Sequence, residues 1–122
     1  INQRGYPLRG KSGFYNLEPT FSQALREALS LGFKLIGHDD YTDKREENQA
    51  ANIYKILEKD PTAKVLVWAG HDHIQEKPIG TRKPWMAYYF KKISGIDPLT
   101  IEMTTLREHS SPEFESGYYR TK

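Results

Sequence analysis

The chain of 122 residues contains no cysteine and carries little net charge. Without cysteine it can form neither a disulfide framework nor a thiolate site, so the sequence leaves the redox compartment open. A formal net charge of +2 gives no electrostatic reason to expect a nucleic-acid partner. No apolar run approaches the ~18 residues of a membrane span. With 37% hydrophobic and 28% charged residues, the composition is typical of one small globular domain. The expected partner is a small-molecule substrate or ligand.

A signal-peptide pattern is also missing, and the chain begins with Ile1 rather than methionine. We therefore expect a processed product or a piece of a longer protein. Localisation and oligomeric state are left open by the sequence.

Three segments carry apolar residues at the spacing of amphipathic helices. Thr20 is the expected cap of the first helix, and Asp43 with Glu46 resembles a capping box at the start of the second. Gly95 is a natural end for the third, because glycine adopts a positive φ without strain. The three predicted helices cover residues 19–32, about 44–59 and 84–94.

Three further segments predict short strands, at 33–37, 63–69 and 99–106. The second, AKVLVWA, is continuously apolar, as in a strand covered on both faces of a parallel sheet. The alternation of helices and strands predicts an α/β fold, a partial three-layer parallel sheet of βαβαβ order preceded by a helix. The predicted organisation is an N-terminal loop or arm (1–18), an α/β domain (19–106) and a charged tail (107–122).

Polar residues follow the predicted strands, where open α/β sheets collect their ligands. His71 and His73 follow the second strand, and in extended backbone such a pair points to one side, so both could bind one metal ion or one substrate. Asp72 could bind the same metal ion, or it could hold a neighbouring imidazole in one tautomer. The alternative interpretation is a polar turn whose histidines make ordinary hydrogen bonds.

His38 and Asp39 follow the first strand and are candidates for substrate binding, as a metal ligand or a base. Arg45 could clamp a carboxylate or phosphate with its planar fork. Lys83 could bind an anion, and Tyr88 is a further candidate for substrate contact. The alternative interpretations are a connecting loop for His38 and Asp39, solvated surface charges for Arg45 and Lys83, and a core aromatic residue for Tyr88.

The segments KREENQAANIYKIL, KVLVWAGHDHI and WMAYYFKKISGIDPLTI resemble the C-terminal half of the erythromycin esterase, ChaN and Tiki/TraB superfamily. The resemblance covers about residues 33–106. Arg45, Glu46, Ala50, Asn52 and Ile53 match the R-[ED]-x-x-M-A-x-N-[IV] helix of the family, and His73 matches the last histidine of its strand motif. A later M-G-Y-Y-L-K segment of the esterases is matched by Met86, Tyr88 and Tyr89.

This resemblance implies a hydrolase-like domain in which activated water attacks an ester or amide. His73 would be the active-site histidine, with Arg45 and Glu46 as flanking polar residues and His71 and Asp72 orienting or ligating. The alternative that the resemblance implies is a haem-binding module without catalysis, so the cofactor is left open between a divalent metal and haem. Gln49 and His71 depart from the motifs, which usually have methionine and asparagine there. The N-terminal family motif has no counterpart, which predicts half of a catalytic domain, inactive on its own if the other half is needed.

AGHDHIQE also resembles the G-H-x-H block of calcineurin-like metallophosphoesterases, in which both histidines, here His71 and His73, serve a two-metal centre. The D-x-H and G-N-H-[ED] blocks that such a centre needs are missing from this sequence. A metallophosphoesterase-type site is therefore the second resemblance.

Overall fold

The computed structural model describes residues 1–8, 18–78 and 80–103, and it divides into two compact units, Ile1–Gly37 and His38–Lys122. The elements that lie wholly within the described residues are three α-helices and one short 3-10 turn. In chain order these are α1 (Pro19–Ser30), α2 (Arg45–Lys59), the 3-10 turn (His71–Ile74) and α3 (Met86–Ser94). In the described ranges, no helix is long and apolar enough to cross a membrane.

The predicted α/β fold with a parallel sheet is wrong, because the described residues contain no β-strand. The segments predicted as strands have no regular secondary structure over 33–37, 63–69 and 99–102, and residues 104–106 and the predicted tail lie outside the described residues. Leu66 is 79% exposed, whereas a strand covered on both faces would bury it. A short apolar run has the composition of a buried strand, but it becomes one only when it pairs with a neighbouring strand. Whether such a neighbour is present depends on the tertiary structure and not on the run itself.

The three predicted helices are confirmed, although the residues that cap the first two differ from the prediction. The carboxylate of Glu18, rather than the side chain of Thr20, caps α1. It accepts hydrogen bonds from the backbone N–H groups of Thr20 and Phe21, at 3.0 and 2.6 Å. Lys44 occupies the N-cap of α2 and makes no side-chain cap bond, so the capping box of Asp43 and Glu46 is wrong. Gly95 ends α3 with φ of 70°, as its position in the sequence predicts.

The first unit combines α1 with the N-terminal residues. The Asn2 amide donates to the backbone oxygen of Leu35 (2.8 Å) and accepts from its N–H (2.7 Å). The guanidinium groups of Arg4 and Arg26 lie 5.6 and 5.7 Å from the centre of the Tyr6 ring. The described part of the predicted arm is thus held by specific contacts within its unit.

The core of the second unit lies between α2 and α3. Ala50 is completely buried, and its small side chain allows the two helices to approach closely. The buried cluster consists of Ala50, Ile53, Met86 and Phe90, with Tyr54, Leu57, Ala69 and Tyr89 packed against it. Burial of each large apolar side chain stabilises the unit by roughly 1.5–3 kcal/mol before entropic costs. This packing brings the start of α3 to the first turn of α2.

Candidate functional site

A carboxylate–imidazole pair lies between the starts of the two packed helices. Glu46 Oε2 is 2.7 Å from His73 Nδ1, and the same oxygen accepts the backbone N–H of Met86 at 2.9 Å. Both side chains are largely buried, at 17% and 19% exposure. Because an ionised carboxylate only accepts hydrogen bonds, we assign the proton to Nδ1, which leaves the lone pair on Nε2.

The elements on either side explain why this pair forms. Glu46 stands in the first turn of α2, on the same helical stripe as the buried Ala50 and Ile53, and so faces α3. The backbone N–H of His73 donates to Gly70 at 3.0 Å, which closes the 3-10 turn. The ring of Trp85 meets the imidazole edge-on, with 5.5 Å between ring centres. The imidazole is therefore fixed by a hydrogen bond on one side and by aromatic packing on another.

An adjacent stripe of α2 fixes the segment that precedes the helix. The Arg45 guanidinium contacts both carboxylate oxygens of Asp39, at 3.0 and 3.2 Å, and the Gln49 amide donates to the same carboxylate. One turn further on, Asn52 Nδ2 donates to the backbone oxygen of His38 at 3.3 Å. The spacing of i, i+4 and i+7 places these three donors on one side of the helix.

The contacts of this segment shift the pKa values of Asp39, Arg45 and His38. The hydrogen bond from Arg45, assisted by Gln49 and by the N–H of Asp40, lowers the pKa of Asp39 to about 2. Asp39 in turn raises the pKa of Arg45. Burial lowers the pKa of His38 below its usual 6.5, and the charges of His73 and Arg45 act in the same direction, while Asp39 opposes them. At neutral pH, Asp39 is an anion and His38 a neutral imidazole.

The two histidines of the turn have different carboxylate partners. His71 Nδ1 lies 3.2 Å from Glu102 Oε1, whereas His73 contacts Glu46. The expectation that extended backbone points both imidazoles to one side is wrong, because a 3-10 turn has three residues per turn and separates positions i and i+2. Within the described ranges, no three or more His, Cys, Asp or Glu side chains are grouped to hold a metal ion. The described residues therefore do not fit a resident metal ion.

Three further predicted site residues, Asp72, Lys83 and Tyr88, have surroundings that differ from those of the Glu46–His73 pair. Asp72 is exposed within the 3-10 turn, and Lys83 is exposed in the segment before α3. Tyr88 on α3 meets Tyr89 edge-on, with 5.4 Å between ring centres. In the part of the chain that the structure describes, none of Asp72, Lys83 and Tyr88 has a hydrogen bond or ring contact with Glu46 or His73.

Sequence reasoning missed four contributors to this region. Gln49 and Asn52 follow Arg45 at helical spacing, and that spacing was the signal that could have identified them. Trp85 and Glu102 gave no such signal, because their contacts depend on how distant segments pack. Gln49 is 2% exposed, and its Oε1 and the indole N–H of Trp85 are buried without a hydrogen-bond partner among the described residues.

Comparison with protein-family models, with curated proteins and with solved structures finds no match to this chain.

Proposed function

We propose that the second unit carries a hydrolase-like site of the erythromycin esterase type, in which His73 activates water for attack on an ester or amide. The observation that supports this proposal is the 2.7 Å contact between Glu46 and His73, in a largely buried setting. A carboxylate behind an imidazole is the arrangement that orients a general base and stabilises the imidazolium formed during the reaction.

In the proposed reaction, Nε2 of His73 takes a proton from water as the water oxygen attacks the carbonyl carbon. Glu46 keeps the other ring proton on Nδ1 and neutralises the positive charge that develops on the ring. The Met86 N–H, at the start of α3, donates to Glu46 Oε2 and holds the carboxylate in place beside the imidazole. Collapse of the tetrahedral intermediate releases the alcohol or amine, which receives the proton from His73. His38, Asp39 and Arg45 are proposed at the rim, while substrate contacts by Lys83 and Tyr88 stay predictions.

Each residue of α2 that matches the family motif makes an identifiable contact in the structure. Glu46, Ala50 and Ile53 form the stripe that faces α3, and Arg45 and Asn52 hold the segment before the helix. These contacts support the resemblance, because α2 positions both the Glu46 carboxylate and the segment that precedes the helix.

The test is hydrolysis of p-nitrophenyl esters by the wild type, His73→Asn, Glu46→Gln and His71→Asn, with free imidazole at equal concentration as the background. Removal of a general base lowers the rate by roughly 10²–10⁴-fold. We expect His73→Asn to fall to background, Glu46→Gln to lose part of the rate, and His71→Asn, the matched histidine of the same turn, to lose least. Wild-type turnover no faster than imidazole, or undiminished turnover in His73→Asn, would contradict the proposal.

Haem binding without catalysis is the second candidate, and the same hydrogen bond favours it. An imidazole that ligates iron commonly gives its other N–H to a carboxylate, as His73 gives Nδ1–H to Glu46. Titration with haem would then produce a Soret band in the wild type and in His71→Asn but not in His73→Asn. Absence of this band, or its persistence in His73→Asn, would exclude His73 as an axial ligand.

A further inference from the structure

The first unit contains an open cavity of about 430 Å³ beside the end of α1. Its walls come from the last turn of α1, from the segment that follows the helix and from the N-terminal residues. The Asn2 amide joins the last two through its pair of hydrogen bonds with the backbone of Leu35. Gly5 and Gly32 also line the cavity, and neither has a side chain to fill the space. The volume lies within the range of small-molecule sites, ~300–1,000 Å³.

Two cationic side chains of the cavity wall, Arg26 and Lys34, have no carboxylate partner in the described part of the chain. Both are exposed, and every ion pair among the described residues lies in the second unit. The acidic groups of the first unit are engaged elsewhere: Glu18 caps α1, and Glu27 accepts a hydrogen bond from the Gln23 amide at 2.7 Å. The described residues therefore leave the positive charge of the cavity wall without a counter-charge.

The Arg26 guanidinium is held in position by an aromatic ring. Its Cζ lies 5.7 Å from the centre of the Tyr6 ring, and the Cζ of Arg4 lies 5.6 Å from the same centre. A guanidinium over an aromatic ring keeps N–H groups available for a bidentate contact with an oxyanion. Residues 1–37 contain five Lys or Arg and two Glu, whereas the net charge of the whole chain is +2. The charge of the first unit therefore favours an anionic ligand.

The end of α1 offers little opposition to an anion. The C-terminus of a helix carries partial negative charge because its last carbonyl groups lack partners within the helix. Here the carbonyl groups of Glu27, Ala28 and Leu29 accept backbone N–H groups from the residues that follow the helix, at 2.9, 2.9 and 3.1 Å. The cations of the cavity wall are therefore not cancelled by exposed carbonyl groups at these positions.

We propose that this cavity binds a phosphate monoester whose esterified group is flat and apolar, independently of any chemistry at His73. A phosphate monoester carries about −1.5 to −2 charges at neutral pH and three acceptor oxygens. These match the fork of Arg26 together with the point charge of Lys34, whereas a single carboxylate would leave one cation without a partner. Leu29 and Phe33, of which Phe33 is 49% exposed, offer an apolar surface to the esterified group.

The first test is isothermal titration calorimetry of the full chain with phenyl phosphate, inorganic phosphate and phenol. We expect phenyl phosphate to bind, inorganic phosphate to bind more weakly and phenol not to bind, and we expect added salt to weaken both phosphates. Amide shifts in nuclear magnetic resonance are expected to be confined to the first unit. No binding of phenyl phosphate at millimolar concentration, or shifts confined to the second unit, would overturn the proposal.

Substitutions in the cavity wall separate the two parts of the ligand. Arg26→Gln and Lys34→Gln are each expected to weaken phenyl phosphate about tenfold, the loss for one charge-assisted hydrogen bond. Arg26→Lys keeps the charge but not the fork and is expected to recover only part of that affinity. Phe33→Ala is expected to weaken phenyl phosphate and to leave inorganic phosphate unchanged. Lys92→Gln, at an exposed lysine of α3, is the matched control and is expected to bind as the wild type does.

Circular dichroism verifies that the helices of every variant are formed. An affinity that neither Arg26→Gln nor Lys34→Gln lowers overturns the proposal. So does an affinity that Lys92→Gln lowers equally, because binding then follows the overall charge rather than the cavity. Unchanged binding of phenyl phosphate by Phe33→Ala contradicts the apolar part of the proposed ligand.

Discussion

Glu46 and His73 are 27 residues apart in the sequence, yet their side chains meet at 2.7 Å between the starts of two helices. The same carboxylate oxygen also receives the N–H of Met86, so one acidic group joins α2, the 3-10 turn and α3. A contact that links three elements while largely shielded from water contributes to stability as well as to any chemistry at His73.

Glu46→Gln is expected to lower the free energy of unfolding by about 1–3 kcal/mol, because two donors then compete for one neutral amide oxygen. The measurement is urea denaturation at neutral pH. Glu58→Gln is the control, an exposed acidic position on the same helix, and it is expected to change stability by less than ~0.5 kcal/mol. Equal effects of the two substitutions would show that the contact at Glu46 adds nothing to folding.

Asp39→Asn is expected to remove an acid-dependent part of the stability. The pKa of Asp39 is about 2 when folded, against 3.8 for the free group, so its contribution is present above pH 3.8 and is lost as the pH falls through 2. Asp39 and Arg45 are 42% and 45% exposed, and solvent screening limits the contribution to about 1 kcal/mol. Denaturation of the wild type and Asp39→Asn from pH 5 to pH 2, with and without added salt, measures it. Parallel curves at all pH values would contradict the assignment.

His38 is expected to titrate below 6.5, because burial disfavours its charged form. A histidine with a lowered folded-state pKa contributes stability that is complete above pH 6.5 and is lost as the pH falls from 6.5 toward the folded-state pKa. Nuclear magnetic resonance of the imidazole ring gives the midpoint directly. Asp39→Asn is expected to move that midpoint further down, since Asp39 is the neighbouring anion that opposes the effect of burial. A midpoint at or above 6.5 in the wild type would contradict the burial of His38.

Ala50→Leu is expected to lower the free energy of unfolding by about 1–3 kcal/mol, because the added side chain has no room between α2 and α3. Ala50 has 0% exposure, whereas its neighbour Ala51 is only partly buried. Ala51→Leu is therefore the matched control and is expected to cost less than half as much. Thermal and urea unfolding of both variants provides the comparison, and unchanged stability of the Ala50→Leu variant would indicate looser packing of the helices.

The helices could be predicted from the sequence because their signals are local. Apolar spacing located α1, α2 and α3, and Gly95 ended α3 as expected because a positive φ is a property of the residue itself. The predicted cap at Asp43 with Glu46 failed because Glu46 lies within reach of His73 and Met86, a partnership that no local pattern reports.

The sequence by itself determined which segments are helical, which residues are apolar and which imidazoles and carboxylates are available. Only the tertiary structure decided that His73 meets Glu46 while His71 meets Glu102, because the 3-10 turn separates two side chains that an extended backbone would have aligned. It also decided that the apolar runs predicted as strands have no sheet among the described residues. Helical hydrogen bonds close within four residues and can be recognised locally, whereas strand pairing and side-chain partnership depend on distant residues that only the folded chain brings together.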